Sequence, residues 1–244
     1  MKKTYAVLAI AAIAILVIYF LLPDRNFSEV VFPVPEGATF DKYDDRSDGG
    51  LSEASLSVKD SSAFFTCSLG ADTTLPAWCG LLWNFDPEGK KNYRNWTFVD
   101  TIFFDMKASG TNQLLLKVWT YDPDVTDLEK SQTFKLLMKE VPVKPGARQR
   151  IAIPMEELYT PDFWYENAGI DPKFNKRHQE SVARVEIAPG WEQARGTSFA
   201  VHVYGISASG VSNFYFGIVL FSFIALTIIA VGRRHKERND EVKN

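Results

Sequence analysis

Two long apolar runs, residues 5–22 and 214–231, bracket the chain, and between them hydrophobic and polar side chains alternate with a period close to two in segment after segment. Each run has the roughly 18 to 20 residues that a helix rising ~1.5 Å per residue needs to cross a hydrocarbon core ~30 Å thick. Neither carries a charge, and their polar members Ser222 and Thr227 can return a hydrogen bond to their own helix backbone. The alternating stretches predict strands over 51–58, 62–69, 77–85, 101–107, 114–121, 133–141, 148–153, 182–187 and 199–206, with a first strand before residue 39. Gly, Pro, Asn and Asp punctuate the gaps. A short helical patch is expected at 154–159, with Pro154 at its first helical position, where the missing N–H costs nothing. Strands at this spacing predict an antiparallel all-β sandwich flanked by two transmembrane helices.

The charges beside the apolar runs set an orientation. Lys2 and Lys3 precede the first run, and Arg233, Arg234, Lys236 and Arg238 follow the second. By the positive-inside rule both termini are cytoplasmic, and Tyr19, Phe20, Phe214, Tyr215 and Phe216 mark the opposite interface. The expected organisation is a cytoplasmic N-terminus 1–4, a first span 5–22, a linker with the first strand 23–38, an extracytoplasmic domain 39–208, a linker 209–213, a second span 214–231 and a cytoplasmic tail 232–244. A cleaved secretory signal is the alternative for the first run. Its length and the absence of a small-x-small site before Arg25 favour an uncleaved anchor. The lipid bilayer is thus the first expected partner.

The roughly 190 residues between the runs suffice for one domain with a full core. A net charge of −3 and a pI of 5.7, with no basic stripe interleaved with aromatics, speak against nucleic acid. Catalysis finds little support: the three histidines, His178, His202 and His235, are scattered, and no nucleophile elbow, His-Glu-x-x-His helix or phosphate loop is present. Paired carboxylates for glycoside hydrolysis depend on the fold rather than on spacing, so sequence leaves them open. No metal site or cofactor is assigned. Cys67 and Cys79 are the only cysteines, and pairing the strands on either side of a turn centred on Thr73 sets them opposite one another. A structural disulfide is expected in an oxidising compartment, and two reduced, buried thiols are the alternative.

Alternation also sorts the strand residues into two faces. Val118, Ile151, Ile153, Val185, Ile187, Val201 and Val203 fall on core-facing sides. Their neighbours are Lys117, Trp119, Tyr121, Arg148, Arg150, Arg184, Glu186, His202 and Tyr204. Charges on the outside of a sandwich are ordinarily solvated surface. The mixture with aromatics fits a sugar site instead, because rings stack on pyranose C–H faces while Arg, His and carboxylates bond hydroxyl pairs. The candidate ligand surface is Lys117, Trp119, Tyr121, Arg148, Arg150, Arg184, His202 and Tyr204, with Trp164 and Tyr165 at its rim.

The segment Asp44-Asp45-Arg46-Ser47-Asp48-Gly49-Gly50-Leu51-Ser52 resembles the opening of galactose-binding-like jelly rolls, such as family 11 carbohydrate-binding modules and complex I intermediate-associated proteins. The stretches 120–126 and 153–165 look like the extracytoplasmic sensory jelly rolls of bacterial two-helix membrane signalling proteins. The resemblance, over roughly 39–206, implies a jelly roll that binds a carbohydrate or similar polar ligand, with a membrane-protein signalling partner possible. Together with the Met-Lys-Lys start it implies a bacterial inner-membrane protein with a periplasmic domain. Unlike those signalling proteins, this sequence carries no effector domain after its second apolar run. A protein-interaction or assembly module of an envelope complex is the rival reading. In jelly rolls of this type, Asp44, Asp45 and Asp48 could hold a structural calcium. Read from residues alone, Gly49-Gly50 supplies the positive φ for a sharp entry into a strand, and Asp122, Asp124 and Asp127 form a solvated turn.

Overall fold

The computed structural model describes residues 2–22, 25–59 and 61–243, with the side chains of 5–22, 25–59 and 61–236. It divides into two compact units, Ser28–Ser209 and the pair Met1–Phe27 with Gly210–Asn244. The strands are β1 Asn26–Phe32, β2 Thr39–Asp44, β3 Glu53–Lys59, β4 Ser62–Ser68, β5 Cys79–Asn84, β6 Thr101–Ser109, β7 Gln113–Thr120, β8 Lys135–Pro142, β9 Arg148–Pro154, β10 Val182–Pro189 and β11 Ser198–Val211. The helices are α1 Lys2–Leu21, α2 Asp162–Ala168 and α3 Asn213–Lys243.

The strands form an all-β sandwich of two sheets. One runs β3-β4-β11-β6-β9, with β1 also paired to β11, and the other runs β2-β5-β10-β7-β8. Alternation puts one side chain of every two into the space between them, so register lines up apolar rows. Trp83, Val185, Val118 and Leu137 are successive neighbours across the second sheet, all nearly fully buried. Ala63, Val203 and Met106 do the same across the first. Each Val, Leu or Met side chain among them taken from water is worth about 1.5–3 kcal/mol. Of the expected core residues Ile151 is only half-buried, and the others are buried.

Four local expectations change. β2 lies in a stretch with no assigned strand, α2 follows a proline at its N-cap, Pro161, and ends at Gly169 in the left-handed region at φ 66°. Pro154 closes β9 and precedes the one-turn 3-10 helix Met155–Glu157 instead of opening a helix. β4 and β5 do not form a hairpin. β4 lies between β3 and β11 in one sheet, and β5 lies between β2 and β10 in the other. Cys67 and Cys79 are bonded nonetheless, with Cα atoms 6.5 Å apart, so the disulfide staples the two sheets through the core.

Serine at both cysteines should therefore cost about 3 kcal/mol, the loop-closure entropy of a 12-residue separation. Thermal unfolding of the full chain with and without reductant checks it, and an unchanged midpoint would remove the disulfide from the stability of the fold.

The outer face of the second sheet carries a second apolar layer. Trp164 of α2 packs with Leu115, Leu136, Met138 and Ala188, with Trp119, Tyr165, Ala168 and Ile170 around them. This explains the run Leu114-Leu115-Leu116, in which both faces of β7 are covered. Trp164 Nε1 donates to the carbonyl oxygens of Gln132 and Phe134 at 3.1 and 2.9 Å. Lys135 is fully buried beneath it, its Nζ 4.7 Å from the Trp164 ring and bonded to Tyr165 Oη and the Phe174 carbonyl.

In the other unit, Asn213–Lys236 of α3 is long and apolar enough to cross a membrane, whereas Tyr5–Leu21 is a shorter apolar helix, with Leu22 outside it. Ser222 and Thr227 donate to the carbonyls of Ile218 and Phe223, both at 2.8 Å, so neither leaves a polar group unsatisfied. α1 and α3 lie against one another. The Arg25 guanidinium sits over the rings of Tyr19 and Phe20, at 5.5 and 5.1 Å.

Candidate ligand-binding site

The eight residues proposed from sequence fall on two sheets. Lys117 and Trp119 on β7, Tyr121 just after it and Arg184 on β10 belong to the second sheet; Arg148 and Arg150 on β9 and His202 and Tyr204 on β11 belong to the first. They cannot form one surface, because the hydrophobic core lies between the sheets. Trp164 and Tyr165 belong to the apolar layer under α2 and do not form a rim.

On the second sheet the side chains are committed to one another. Arg184 lies 4.3 Å over the Trp119 ring, donates to the Ser131 carbonyl at 2.9 Å and sits 3.4 Å from Glu186. Glu186 also accepts from the Tyr43 hydroxyl at 3.1 Å and faces Lys117 Nζ at 3.7 Å. Burial raises the Tyr43 phenol well above its ordinary pKa, reinforced by the Glu186 charge and hydrogen bond, and burial likewise lowers Arg184 against the pull of Glu186. Tyr121 stacks on Tyr93 at 5.2 Å and meets Phe134 edge-on, while Lys91 covers it at 5.1 Å. Burial, with the nearby Asp86 charge, pushes Tyr93 up to about 12. Trp119 and Tyr121 are thus each covered by a cation.

The first sheet is open. A cleft of about 290 Å³ lies on its outer face, lined by Val30, Phe32 and Pro33 on one side and by Phe103, Asp105, Arg150 and Tyr204 on the other, with Gly205, Ile206 and Ser207 along β11. Its shape comes from a register shift. Val203 pairs with Met106 and Gly205 with Asp105, so Tyr204 is an extra residue on β11 and forms a β-bulge. Gly205 keeps the floor low, since a Cβ there would find nothing closer than the Phe32 carbonyl at 3.9 Å. Arg148 clasps Asp105 through both oxygens, at 2.9 and 2.6 Å, and lies 4.0 Å over the Tyr204 ring. That fork holds the Asp105 carboxyl below the usual range despite some burial and raises Arg148. His202 packs beside Tyr204 with centroids 4.2 Å apart. Arg150 lies 4.7 Å over the Phe103 ring and, among the described residues, has no ion-pair or hydrogen-bond partner.

Arg150 and Tyr204 thus line the cleft, with Arg148 and His202 bracing Tyr204. Sequence reasoning passed over Phe103, Asp105, Val30, Pro33 and Gly205. The alternation of β6 does put Phe103 and Asp105 on its outer side, and only their neighbours were out of reach.

Asp44, Asp45 and Asp48 do not assemble as a metal cluster; among the described residues, no group of three or more His, Cys, Asp or Glu side chains is placed to hold an ion. Asp45 is fully buried and spends its oxygens on protein donors. Oδ1 accepts from Ser52 N at 2.9 Å, and Oδ2 accepts from Ser52 Oγ at 2.5 Å and Trp78 N at 2.8 Å. Ser52 Oγ in turn accepts from Gly70 N at 3.0 Å. Burial pushes the Asp45 carboxyl up, but these hydrogen bonds outweigh it and hold the pKa below 3.8. Gly49 is left-handed at φ 82°, and a Cβ on Gly50 would lie 2.2 Å from Asp45 Cγ. The acidic Gly-Gly segment is therefore a structural clasp. Asp122, expected in a solvated turn, is also buried and faces His178 Nε2 at 3.3 Å.

No family model and no curated protein matches the chain. Among solved structures, the family 11 carbohydrate-binding module of the cellulosomal cellulase Lic26A-Cel5E of Clostridium thermocellum aligns at 12% identity with a TM-score of 0.50, over 76% of this chain and 95% of that one. A structure of the Clostridium thermocellum module in complex with a β-1,3-1,4-mixed-linked tetrasaccharide aligns at 13% identity and a TM-score of 0.47, over 75% of this chain and 96% of that one. The sandwich thus shares the jelly-roll fold of that first module. At such identities the likeness concerns the fold.

Proposed function

We propose that this chain is a membrane-anchored, non-catalytic carbohydrate-binding protein, and that its ligand enters the cleft around Tyr204 on the six-stranded sheet. The observation that carries this reading is the cleft itself: a concave site with an aromatic and aliphatic wall and a few convergent polar groups. An apolar docking patch would be flat, and a glycan surface is grooved. In this reading the apolar side chains Phe103, Val30 and Pro33 cover C–H faces of a sugar ring. Tyr204 and Arg150 bond its hydroxyls.

The anchoring follows from α3 and from the flanking charges. α3 spans the membrane with Arg233, Arg234 and Lys236 on the cytoplasmic side, and α1 serves as a second, shorter anchor with Lys2 and Lys3 on that same side. The jelly roll then faces the periplasm of a bacterial inner membrane, an oxidising compartment that suits Cys67–Cys79.

A glycan array probed with the full chain in nanodiscs tests this. At least one glycan class should be retained, and competition with the free oligosaccharide should release it. If protein with an intact thermal transition retains none, the carbohydrate reading fails.

A further inference from the structure

The charges around the cleft narrow its ligand beyond a carbohydrate in general. On the outer face of β6, β9 and β11 the charged side chains are Lys107, Arg148, Arg150 and Asp105, three cations against one carboxylate, with His202 beside them. Asp105 is the carboxylate lining the cleft, and both its oxygens are taken by Arg148. Its charge is therefore spent before any ligand arrives.

Arg150 is different. It lines the cleft, is exposed, and has its guanidinium carbon 4.7 Å over the Phe103 ring, yet no acidic partner among the described residues occupies its donors. A stacked guanidinium is held in one plane and presents its N–H groups as a rigid fork, a shape that matches a carboxylate through two parallel hydrogen bonds. The cleft itself is lined by Asp105 and Arg150, but with Arg148 and Lys107 beside them the face as a whole is net positive, and an excess of one sign draws in a ligand of the other. A neutral sugar would leave the Arg150 donors without an acidic partner, because the nearby Asp105 carboxylate, though it interacts with Arg150 through its charge, has both oxygens bonded to Arg148.

We infer that the cleft takes an anionic saccharide, one whose ring bears a carboxylate as in a uronic acid, with Arg150 as the group that binds the carboxylate. This rests on the carbohydrate reading above and names the ligand class for the same site. Tyr204 and the Phe103 wall then hold the ring, and the exposed apolar edge at Val30 and Pro33 limits how deeply it enters.

The experiment compares each acid with its own neutral form. Galacturonan, mannuronan and glucuronan oligomers are titrated by calorimetry into the full chain in nanodiscs of zwitterionic lipid, each as the free acid and as its methyl ester. Ring, linkage and length stay the same, and the charge alone is removed. At least one acid should bind about tenfold or more tightly than its ester, as expected for a hydrogen-bonded charge pair. Arg150→Gln should abolish that preference while changing ester affinity little, and Arg150→Lys, which keeps the charge but loses the fork, should fall between. Rising salt should weaken the acid and spare the ester.

Equal binding of acid and ester would overturn the anionic inference and leave a neutral glycan in the cleft. So would an acid preference that survives Arg150→Gln. If no acid or ester binds while the glycan array retains a neutral sugar, the inference fails and the carbohydrate reading stands. An empty array sinks both.

Discussion

Replacing Asp45 by alanine should lower the stability of the sandwich by about 4 kcal/mol, the largest loss expected from one polar side chain in this fold. The carboxylate accepts from Ser52 N, Ser52 Oγ and Trp78 N in a fully buried setting. Truncation removes three charge-assisted hydrogen bonds at once and leaves their donors without water to replace them. Through Ser52 Oγ it also loosens Gly70 N. The segments held are the turn after β2, the start of β3 and both ends of the crossing from β4 to β5, so the loss is global. For a domain of this size it should lower the melting temperature by roughly 8–16 °C. Gly50→Ala should do nearly the same harm with the acid still present, because its Cβ would push into the place of the Asp45 carboxylate. A melt of either variant within about 1 kcal/mol of the parent would show that the clasp is ornamental.

The same carboxylate gives a pH dependence whose sign is fixed. Its pKa in the folded domain lies below 3.8, so the unfolded chain binds the proton more readily. The stability it supplies is therefore fully present above that value and disappears as pH falls through the lower folded value. Asp105, held low first by Arg148, adds to the same trend. Acid unfolding of the parent should steepen below about pH 4, and Asp45→Ala should flatten it.

Much of the fold could be read from periodicity, for a physical reason. β6 is a half-covered strand, so every second residue must be apolar and the pattern survives any change of neighbours. β2 was missed because it lies at one end of its sheet's strand order and carries Asp41, Lys42 and Asp44 beside Phe40 and Tyr43. The cysteines were paired correctly from the wrong geometry: a hairpin about Thr73 and a crossing between sheets give the same spacing, and only tertiary packing separates them. The site divided along the same line. Periodicity states which residues point outward but not which sheet they share, so Trp119 and Tyr204 looked like neighbours although the core lies between them. The extra residue at Tyr204 that shapes the cleft leaves no mark on the alternation, because a bulge exists only relative to its partner strand.

That separation predicts opposite outcomes for two aromatic residues that the sequence treats alike. Trp119 stands between Arg184 on β10 and Leu136 on β8, with Arg184 stacked over it and the layer under α2 around it. Trp119→Ala should cost about 3 kcal/mol of stability through lost packing and the release of Arg184. The folded fraction should keep its affinity for the array-identified glycan. Tyr204 sits on the bulge at the cleft, packed between solvent-facing Arg148 and His202, so Tyr204→Ala should cost no more than about 1 kcal/mol of stability. Its glycan affinity should fall about tenfold or more, because the ring and hydroxyl form one side of the site. Calorimetric titration and thermal unfolding of both variants in nanodiscs separate the two effects. If Trp119→Ala abolished binding while Tyr204→Ala left it intact, the ligand surface would lie on the five-stranded sheet. Arg184 would then have to leave its place over Trp119 to admit a sugar, at the cost of its contacts with Glu186 and the Ser131 carbonyl. The cleft on the other sheet is already open with Arg148 and His202 in place against Tyr204, and for that reason the larger loss of affinity should come from Tyr204.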